Sequence, residues 1–481
     1  MEQKMREYPF FIGGELRTSA TPQEVRFPYT GEPFALAHHA KEHDLRDAAA
    51  TAEKAFEITR RLSSAGRSEI LAALADIVAK RQTEFAGILV LEGGKTQTLA
   101  RLEVARACAT LRIAAEEARR IGGELIPLDW TRDADGRFGI TRRFPIGPIL
   151  GIIPFNYPLN LACHKIGPAI AAGNPIILKP ASATPISALL LGECALEAGL
   201  PPEALSIVPC QGSSAELLVR DPRIAMLSFT GSPAVGWHLR EIAGKKRVAL
   251  ELGGNAAVIV HEDAPLPYAA SRIVTGGFTH AGQVCIAVQR VFLNEAIYDR
   301  ALALILERVA ALRTGDPRLE DTDVGPMISR EAAIRAELLV QEAVRKGATL
   351  HCGGERTGSL VTPAVLTDTT PGMRVNCEEA FAPIITVSRY REFGDALALA
   401  NESEFGMQLG IFTSHLPSIL RAFGEAEVGG VIVNDIPTFR VDQMPYGGVK
   451  ASGTGKEGPR YAIREMTEER LLVFNPRGDG R

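Results

Sequence analysis

The chain has 481 residues, of which 46% are hydrophobic and 23% charged, with a formal net charge of -4. That length allows two or three ordinary domains, and the balance lacks the basic excess that a nucleic acid or an anionic membrane would demand. The start, Met1-Glu2-Gln3-Lys4-Met5-Arg6, carries no apolar leader, and Pro145–Phe155 is too short and proline-broken to cross a bilayer, so the expected setting is cytoplasmic.

In chain order, amphipathic periodicity predicts helices over Asp44–Leu62, Arg67–Ile88 and Arg101–Arg120. Glu124–Pro145 is richer in charge, and within it Phe138–Phe144 reads as an exposed strand that needs a partner edge. Buried strands follow at Ile149–Ile153 and Pro175–Leu178, a helix at Ser187–Ala198, then strands at Ser206–Val208 and Met226–Phe229. After Leu252 a second series begins: strand Ala257–Val260, helix Pro267–Thr279, strand Arg290–Leu293 and helix Ile297–Leu312. Further strands fit Ala348–His351, Val361–Leu366, Pro383–Ser388 and Gly430–Asn434. The strand–helix–strand rhythm predicts an α/β chain with two doubly wound sheets.

Seven cysteines occur, at 108, 163, 194, 210, 285, 352 and 377, with no C-x-x-C pair. Neither a disulfide framework nor a zinc ribbon follows from that, and no His/Cys/Asp cluster has metal-ligand spacing. Cys285 stands apart, in the glycine-containing loop Ala281-Gly282-Gln283-Val284-Cys285 ahead of a strand. A thiolate there would add to a carbonyl carbon, and a nearby helix end could lower its pKa. Glu251, flanked by Leu250 and Leu252, is either a solvated edge residue or a desolvated base whose pKa burial raises. Gly253 and Gly254 beside it permit close backbone approach. The amide of Asn156, in Pro154-Phe155-Asn156-Tyr157-Pro158, suits a developing oxyanion, an interaction worth roughly 3 kcal/mol.

No early G-x-G-x-x-G is present. Instead Phe229-Thr230-Gly231-Ser232-Pro233-Ala234-Val235-Gly236 joins a strand to a helix, where backbone N–H groups can meet a phosphate. Lys179, in Gly173-Asn174-Pro175-Ile176-Ile177-Leu178-Lys179-Pro180, ends a buried strand and could bond a ribose hydroxyl or phosphate.

Together these segments resemble the aldehyde dehydrogenase superfamily over nearly the whole chain. Eight blocks carry the resemblance: Leu91–Lys95, Pro154–Pro158, Gly173–Pro180, Phe229–Gly236, Glu251–Gly254, Gly282–Cys285, Glu379-Ala380-Phe381-Ala382-Pro383, and Pro445-Tyr446-Gly447-Gly448-Val449-Lys450 with Ser452-Gly453. The resemblance implies a nucleophile at Cys285, an oxyanion hole of Asn156 with the Cys285 backbone N–H, and deacylation by water activated at Glu251. It implies NAD or NADP held by Ile153, Pro154, Phe155, Lys179, Ser182, Gly212, Phe229, Gly231, Ser232, Leu252, Glu379 and Phe381. Lys179 and Glu379 would bind the two riboses, Gly231 and Ser232 the diphosphate, and Phe381 would pack by the nicotinamide.

The implied domains are a Rossmann-like cofactor unit over 1–124 and 145–250 and a catalytic unit over 251–450. A β oligomerisation arm with the C-terminal segment, 125–144 and 451–481, would make a homodimer or homotetramer.

Many relatives carry a glutamate where this chain has Ser182; serine removes its repulsion of a 2′-phosphate, so NADP is expected to be accepted. For the aldehyde channel the candidates are Arg106, Tyr157, Asn160, His164, Val284, Ile286, Phe439 and Arg440. Arginine and histidine there would favour an anionic aldehyde, and the look is that of the phosphonoacetaldehyde, lactaldehyde and non-phosphorylating glyceraldehyde-3-phosphate dehydrogenases. A coenzyme A-acylating relative would lack Glu251, and an idle structural relative would lack Cys285 or Asn156; this chain has all three.

Overall fold

The computed structural model describes residues 5–476. Residues 1–4 and 477–481, which end the stretches assigned above to the cofactor unit and the arm, lie outside the described residues.

An eight-stranded sheet organises the first part of the chain. Its middle is five parallel strands in the spatial order Arg247–Glu251, Met226–Thr230, Ile149–Ile152, Ile176–Lys179, Leu205–Ile207. These runs are apolar on both faces, as a sheet covered by helices on each side requires. Phe10–Ile12 and Glu15–Arg17 extend one edge antiparallel. Gly453–Thr454 closes the other edge beside Glu251, so this piece of the C-terminal segment belongs to the sheet rather than to the arm.

The second sheet has seven strands: Thr349–Cys352, Ala364–Thr367, Ile384–Tyr390, Val288–Asn294, Ala256–Val260, Gln408–Phe412 and Gly430–Val433. All pairs are parallel except the first. A separate three-stranded sheet pairs Leu125–Pro127 with Phe138–Pro145, and Phe138–Pro145 in turn with Thr467–Phe474. The exposed strand expected at Phe138–Phe144 thus finds both partner edges, one shortly before it in the chain and one near its far end.

Two expected elements divide. The helix expected over Arg67–Ile88 is two, Ser64–Lys80 and Gln82–Gly93, because Arg81 leaves the helical region at φ -94, ψ 17. There its guanidinium reaches Cys194 Sγ at 3.3 Å and Glu193 at 3.4 Å on a distant helix, tertiary contacts that periodicity does not register. The strand expected over Val361–Leu366 splits into Leu360–Val361 and Ala364–Thr367 around Pro363, which has no N–H for the ladder.

The helix Ile186–Glu197 packs on the sheet through Gly192, where a Cβ would lie 1.9 Å from the Phe11 ring. Gly192→Ala therefore overpacks the seam between this helix and the N-terminal strand. The expected cost is ~1–3 kcal/mol, read as a lowered midpoint of thermal unfolding; an unchanged midpoint would show that the strand yields freely.

Candidate active site

Chain order in the first sheet reverses between Ile149–Ile152 and Met226–Thr230. A crevice forms at the carboxyl ends of strands at such a point. Pro154, Phe155 and Asn156 leave one lip of it, and Gly231 and Ser232 leave the other. Ser232 starts the helix Pro233–Ile242 without a side-chain cap, so first-turn N–H groups remain for an anion. Gly231 is required here, since a Cβ would sit 2.6 Å from the Phe229 ring. On the neighbouring strand Lys179 is buried, and burial holds its ammonium below its ordinary pKa. Ser182 is exposed, its hydroxyl 3.4 Å from the Cys210 carbonyl, and Gly212 opens the helix Gly212–Arg220. A lysine, an uncapped helix start and an exposed hydroxyl along one sheet edge are the donors that a dinucleotide's phosphates and ribose need, so the residues fit such a cofactor.

Leu252–Asn255 carries the chain from the carboxyl end of this sheet to the first strand of the second. A Cβ on Gly254 would lie 2.2 Å from the Cys285 carbonyl oxygen, and one on Gly253 would lie 2.3 Å from Glu379 Oε2. The two glycines thus let the Cys285 loop and the Glu379 carboxylate press against the segment that carries Glu251. Glu379 accepts the Gly254 N–H at 3.0 Å, and burial pushes its pKa up to about 7. Cys285 is half-buried and follows a tight turn in which His280 and Ala281 hold left-handed backbone, φ 48 and 53. Its Sγ lies 2.8 Å from the Tyr446 hydroxyl. Asn156 is buried; its Nδ2 donates to the Gln283 carbonyl at 2.9 Å, while its Oδ1 has no partner.

Glu251 ends its strand buried, with neither carboxylate oxygen hydrogen-bonded. Burial first, and the charge of Glu457 second, push its pKa well above the ordinary value, against Lys165, Arg440 and Lys456. Of the two readings open at this position, the buried carboxylate is the one the structure has.

One cavity of about 430 Å³ joins these groups. Its walls include Asn156, Glu251, Cys285, Glu379 and Phe381, together with Pro154, Phe155, Gly231, Ser232 and Leu252. Phe155 and Phe381 meet edge-to-face at 5.8 Å. Arg106, Tyr157, Asn160, Val284, Ile286 and Arg440 also line it. Ile153, Lys179, Ser182, Gly212 and Phe229 stand outside its walls.

Three expectations need correction. Burial pushes the Cys285 thiol up to about 12 rather than down; Tyr446 and Arg440 oppose the rise, while Glu379 and Glu251 add to it. His164 is no channel residue: it is buried beneath the wall with Nε2 2.9 Å from Asp442 Oδ1. Burial and then Arg440 lower its pKa, which keeps the ring neutral near pH 7. Phe439 is exposed and outside the cavity, its carbonyl accepting from Gln408.

Sequence reasoning missed one acid in the wall, Glu457, and one behind it, Asp442. Asp442 accepts from Arg106 at 2.8 and 3.2 Å and from Asn160 at 3.1 Å. Against burial, the hydrogen bonds from His164 and Arg106 hold its carboxyl far below the usual range. Glu457 accepts from Lys165 at 2.7 Å, Arg440 at 2.8 Å and Thr230 at 3.2 Å. Asp442 stands two positions from Arg440 and Tyr446 lies within a quoted block, so both carried a signal; Glu457 and Lys165 sit in segments with no local pattern.

Compared with known proteins, residues 16–472 match the Aldehyde dehydrogenase family. The chain belongs to the aldehyde dehydrogenase family. Among its relatives, the 3-sulfolactaldehyde dehydrogenase of Priestia megaterium is 45% identical over 473 residues, covering 98% of this chain and 99% of that one. Aldehyde dehydrogenase 21 from Physcomitrella patens, solved with the reaction product succinate, superimposes with a TM-score of 0.97 at 40% identity, covering 99% of this chain and all (100%) of that one. The glyceraldehyde-3-phosphate dehydrogenase GapN from Methanocaldococcus jannaschii, complexed with NADP, gives 0.91 at 35% identity over 95% of this chain and 100% of that one.

The Tyr446 hydroxyl is the foremost group opposing the burial of the Cys285 thiol. Tyr446→Phe removes a donor to a forming thiolate, so the thiol pKa rises further. A charged hydrogen bond of ~1.5–3 kcal/mol corresponds to roughly one to two pKa units. Alkylation of Cys285 by iodoacetamide in the cofactor-free protein should slow roughly tenfold or more at pH 8, with its pH profile displaced upward; an unmoved profile would remove Tyr446 from this role.

Proposed function

We propose that this chain oxidises a short aldehyde bearing an anionic group to its carboxylate, with NAD or NADP as acceptor, through a thioester on Cys285. The observation that carries the reading is the meeting of the Cys285 thiol, the Asn156 amide and the unpartnered Glu251 carboxylate on one cavity. The Cys285 thiolate adds to the aldehyde carbon, and the oxygen that becomes an alkoxide is held by Asn156 Nδ2–H and the Cys285 backbone N–H. A nicotinamide held by the residues of this crevice would supply the hydride acceptor that turns the Cys285 adduct into a thioester. Glu251 takes a proton from water as the water adds to the thioester carbonyl, and collapse releases the carboxylic acid, whose remaining proton passes to the departing Cys285 sulfur to leave the carboxylate and the thiol. A raised pKa suits Glu251 to this task, because a base works best with a pKa near the operating pH.

The cofactor in this reading lies along the edge from Lys179 and Ser182 to Gly231, Ser232 and the paired Phe155 and Phe381. Ser182 presents a hydroxyl and no charge, which favours tolerance of a 2′-phosphate. The eight-stranded unit holds the cofactor and the seven-stranded unit carries the nucleophile. The arm, with Leu471, Leu472 and Val473 exposed, is the surface for a second copy in a homodimer or homotetramer. All seven cysteines are free, which accords with a reducing, cytoplasmic setting.

Arg106 and Arg440 support the anionic substrate. Both line the cavity, and each is already neutralised on one side, by Asp442 and Glu457. Their guanidiniums keep further N–H groups: Arg440 Nε is buried with no partner, and Arg106 engages Asp442 through Nε and Nη2 alone. The names of the relatives point the same way, since sulfolactaldehyde, succinate and glyceraldehyde 3-phosphate each carry an anion at the end of a short carbon chain.

Glu251→Gln should give one burst of NAD(P)H, stoichiometric with enzyme, and then stall as the thioester, seen by stopped-flow absorbance and mass spectrometry. An unchanged steady-state rate would take deacylation away from Glu251. Arg106→Leu and Arg440→Met should each lower kcat/KM for sulfolactaldehyde or succinate semialdehyde. A lost charged hydrogen bond of ~1.5–3 kcal/mol means roughly 10- to 100-fold. A neutral aldehyde of equal length should change far less; equal losses on both would defeat the anionic reading.

A further inference from the structure

A second cavity, of about 370 Å³, lies at the base of the arm. It sits between the turn that joins helices Glu42–Thr59 and Ser64–Lys80 and the paired strands Phe138–Pro145 and Thr467–Phe474. It shares no wall residue with the cavity that holds Cys285. Six arginines and one glutamate line it.

Four of the arginines are occupied. Arg60 and Arg61 meet Glu57, Arg143 donates to the Arg464 and Thr467 carbonyls, and Arg470 pairs with Glu468. Arg67 and Arg142 differ: among the described residues neither pairs with a carboxylate. Arg67 donates from Nη2 to the Ser64 hydroxyl at 3.1 Å, but its Nε is buried with no partner. Arg142 stands directly opposite Arg470 in the antiparallel ladder. Both guanidiniums lie over the same Phe144 ring, 5.4 and 4.6 Å from its centre.

Like charges opposite each other across a sheet are destabilising, and a partly buried unpaired guanidinium is more so. Burial first and Arg142 second lower the pKa of Arg67, which reports the same unrelieved repulsion. Ser63 and Ser64, at the start of a 17-residue helix, bring the positive end of its dipole to the same wall.

We propose that this cavity binds a small multivalent oxyanion, namely inorganic phosphate, sulfate or a phosphate monoester, between Arg67 and Arg142. Such a group accepts bidentate hydrogen bonds from guanidinium forks and neutralises both unpaired charges at once. The volume leaves room for a small organic group on the phosphate.

The test uses the full chain, titrated with sodium phosphate and with sodium sulfate against sodium chloride at equal ionic strength. Thermal unfolding and calorimetry are the readouts. Phosphate should raise the unfolding midpoint beyond chloride, with saturable binding. Arg142→Met and Arg67→Met should each weaken that binding roughly tenfold or more, while kcat/KM for the aldehyde, measured in chloride, stays unchanged. Should Arg67→Met fail to fold, the exposed Arg142→Met variant carries the test alone. The proposal is overturned if phosphate acts no better than chloride, or if Arg142→Met binds phosphate as tightly as the parent, which would place the ion in the cofactor crevice. It is equally overturned if Arg142→Met reduces the mass of the assembly by light scattering, which would make the cavity a contact between copies.

Discussion

The close approach at Gly253 and Gly254 is the constraint from which the rest of the site follows. One chain segment passes from the carboxyl edge of the first sheet to the amino edge of the second, and it has no side chains at the two positions where it crosses. Any Cβ there would overlap the Cys285 carbonyl or the Glu379 carboxylate. Because the space is empty, a thiol that precedes one sheet comes to share a cavity with a carboxylate that ends the other. The meeting of thiol and carboxylate is here a consequence of backbone packing rather than of any long-range attraction between the two groups.

Charge is handled differently on the two sides of that cavity. Glu251 is left without a hydrogen bond, and desolvation raises its pKa. Glu457, in the same wall, and Asp442, behind it, are hydrogen-bonded by several donors and held ionised. Those two acids anchor Arg106 and Arg440 in the wall while leaving part of each guanidinium unspent. A buried pair that is fully hydrogen-bonded confers orientation more than stability, and orientation is what an anion-binding wall requires.

A similar division of labour supports the oxyanion loop. Glu103 caps the helix Pro158–Ala172 by accepting the N–H groups of Leu159 and Asn160 at 3.0 and 3.1 Å, and it is paired with Lys95 at 2.6 Å, both wholly buried. Lys95 in turn lies 3.5 Å from the Tyr157 ring centre. Glu92, the second residue of the block Leu91–Lys95, caps the helix Ile186–Glu197 through the N–H groups of Ile186 and Ser187. That block matters because it ties three elements to the loop that carries Asn156.

From the amino-acid sequence alone came the α/β rhythm, most helices and strands within a few residues, and the segments around Cys285, Glu251, Asn156, Lys179 and Gly231. These are local properties: periodicity, glycine at a strand-to-helix turn, and a residue type out of place among its neighbours. Tertiary structure alone decided the rest. It split the helix at Arg81, whose guanidinium there reaches Glu193 and Cys194 on another helix. It moved Gly453–Thr454 into the first sheet, because Glu251 needed an edge partner. It set the direction of the Cys285 pKa, since the cost of burying a thiolate outweighs what Tyr446 and Arg440 return. It also withdrew His164 from the channel and supplied Asp442, Glu457 and Tyr446, residues that reach the cavity from 161 to 292 positions away. Chain separation of that size leaves no pattern to read: which charges meet depends on how two sheets pack, and packing is a property of the folded volume rather than of any window of sequence.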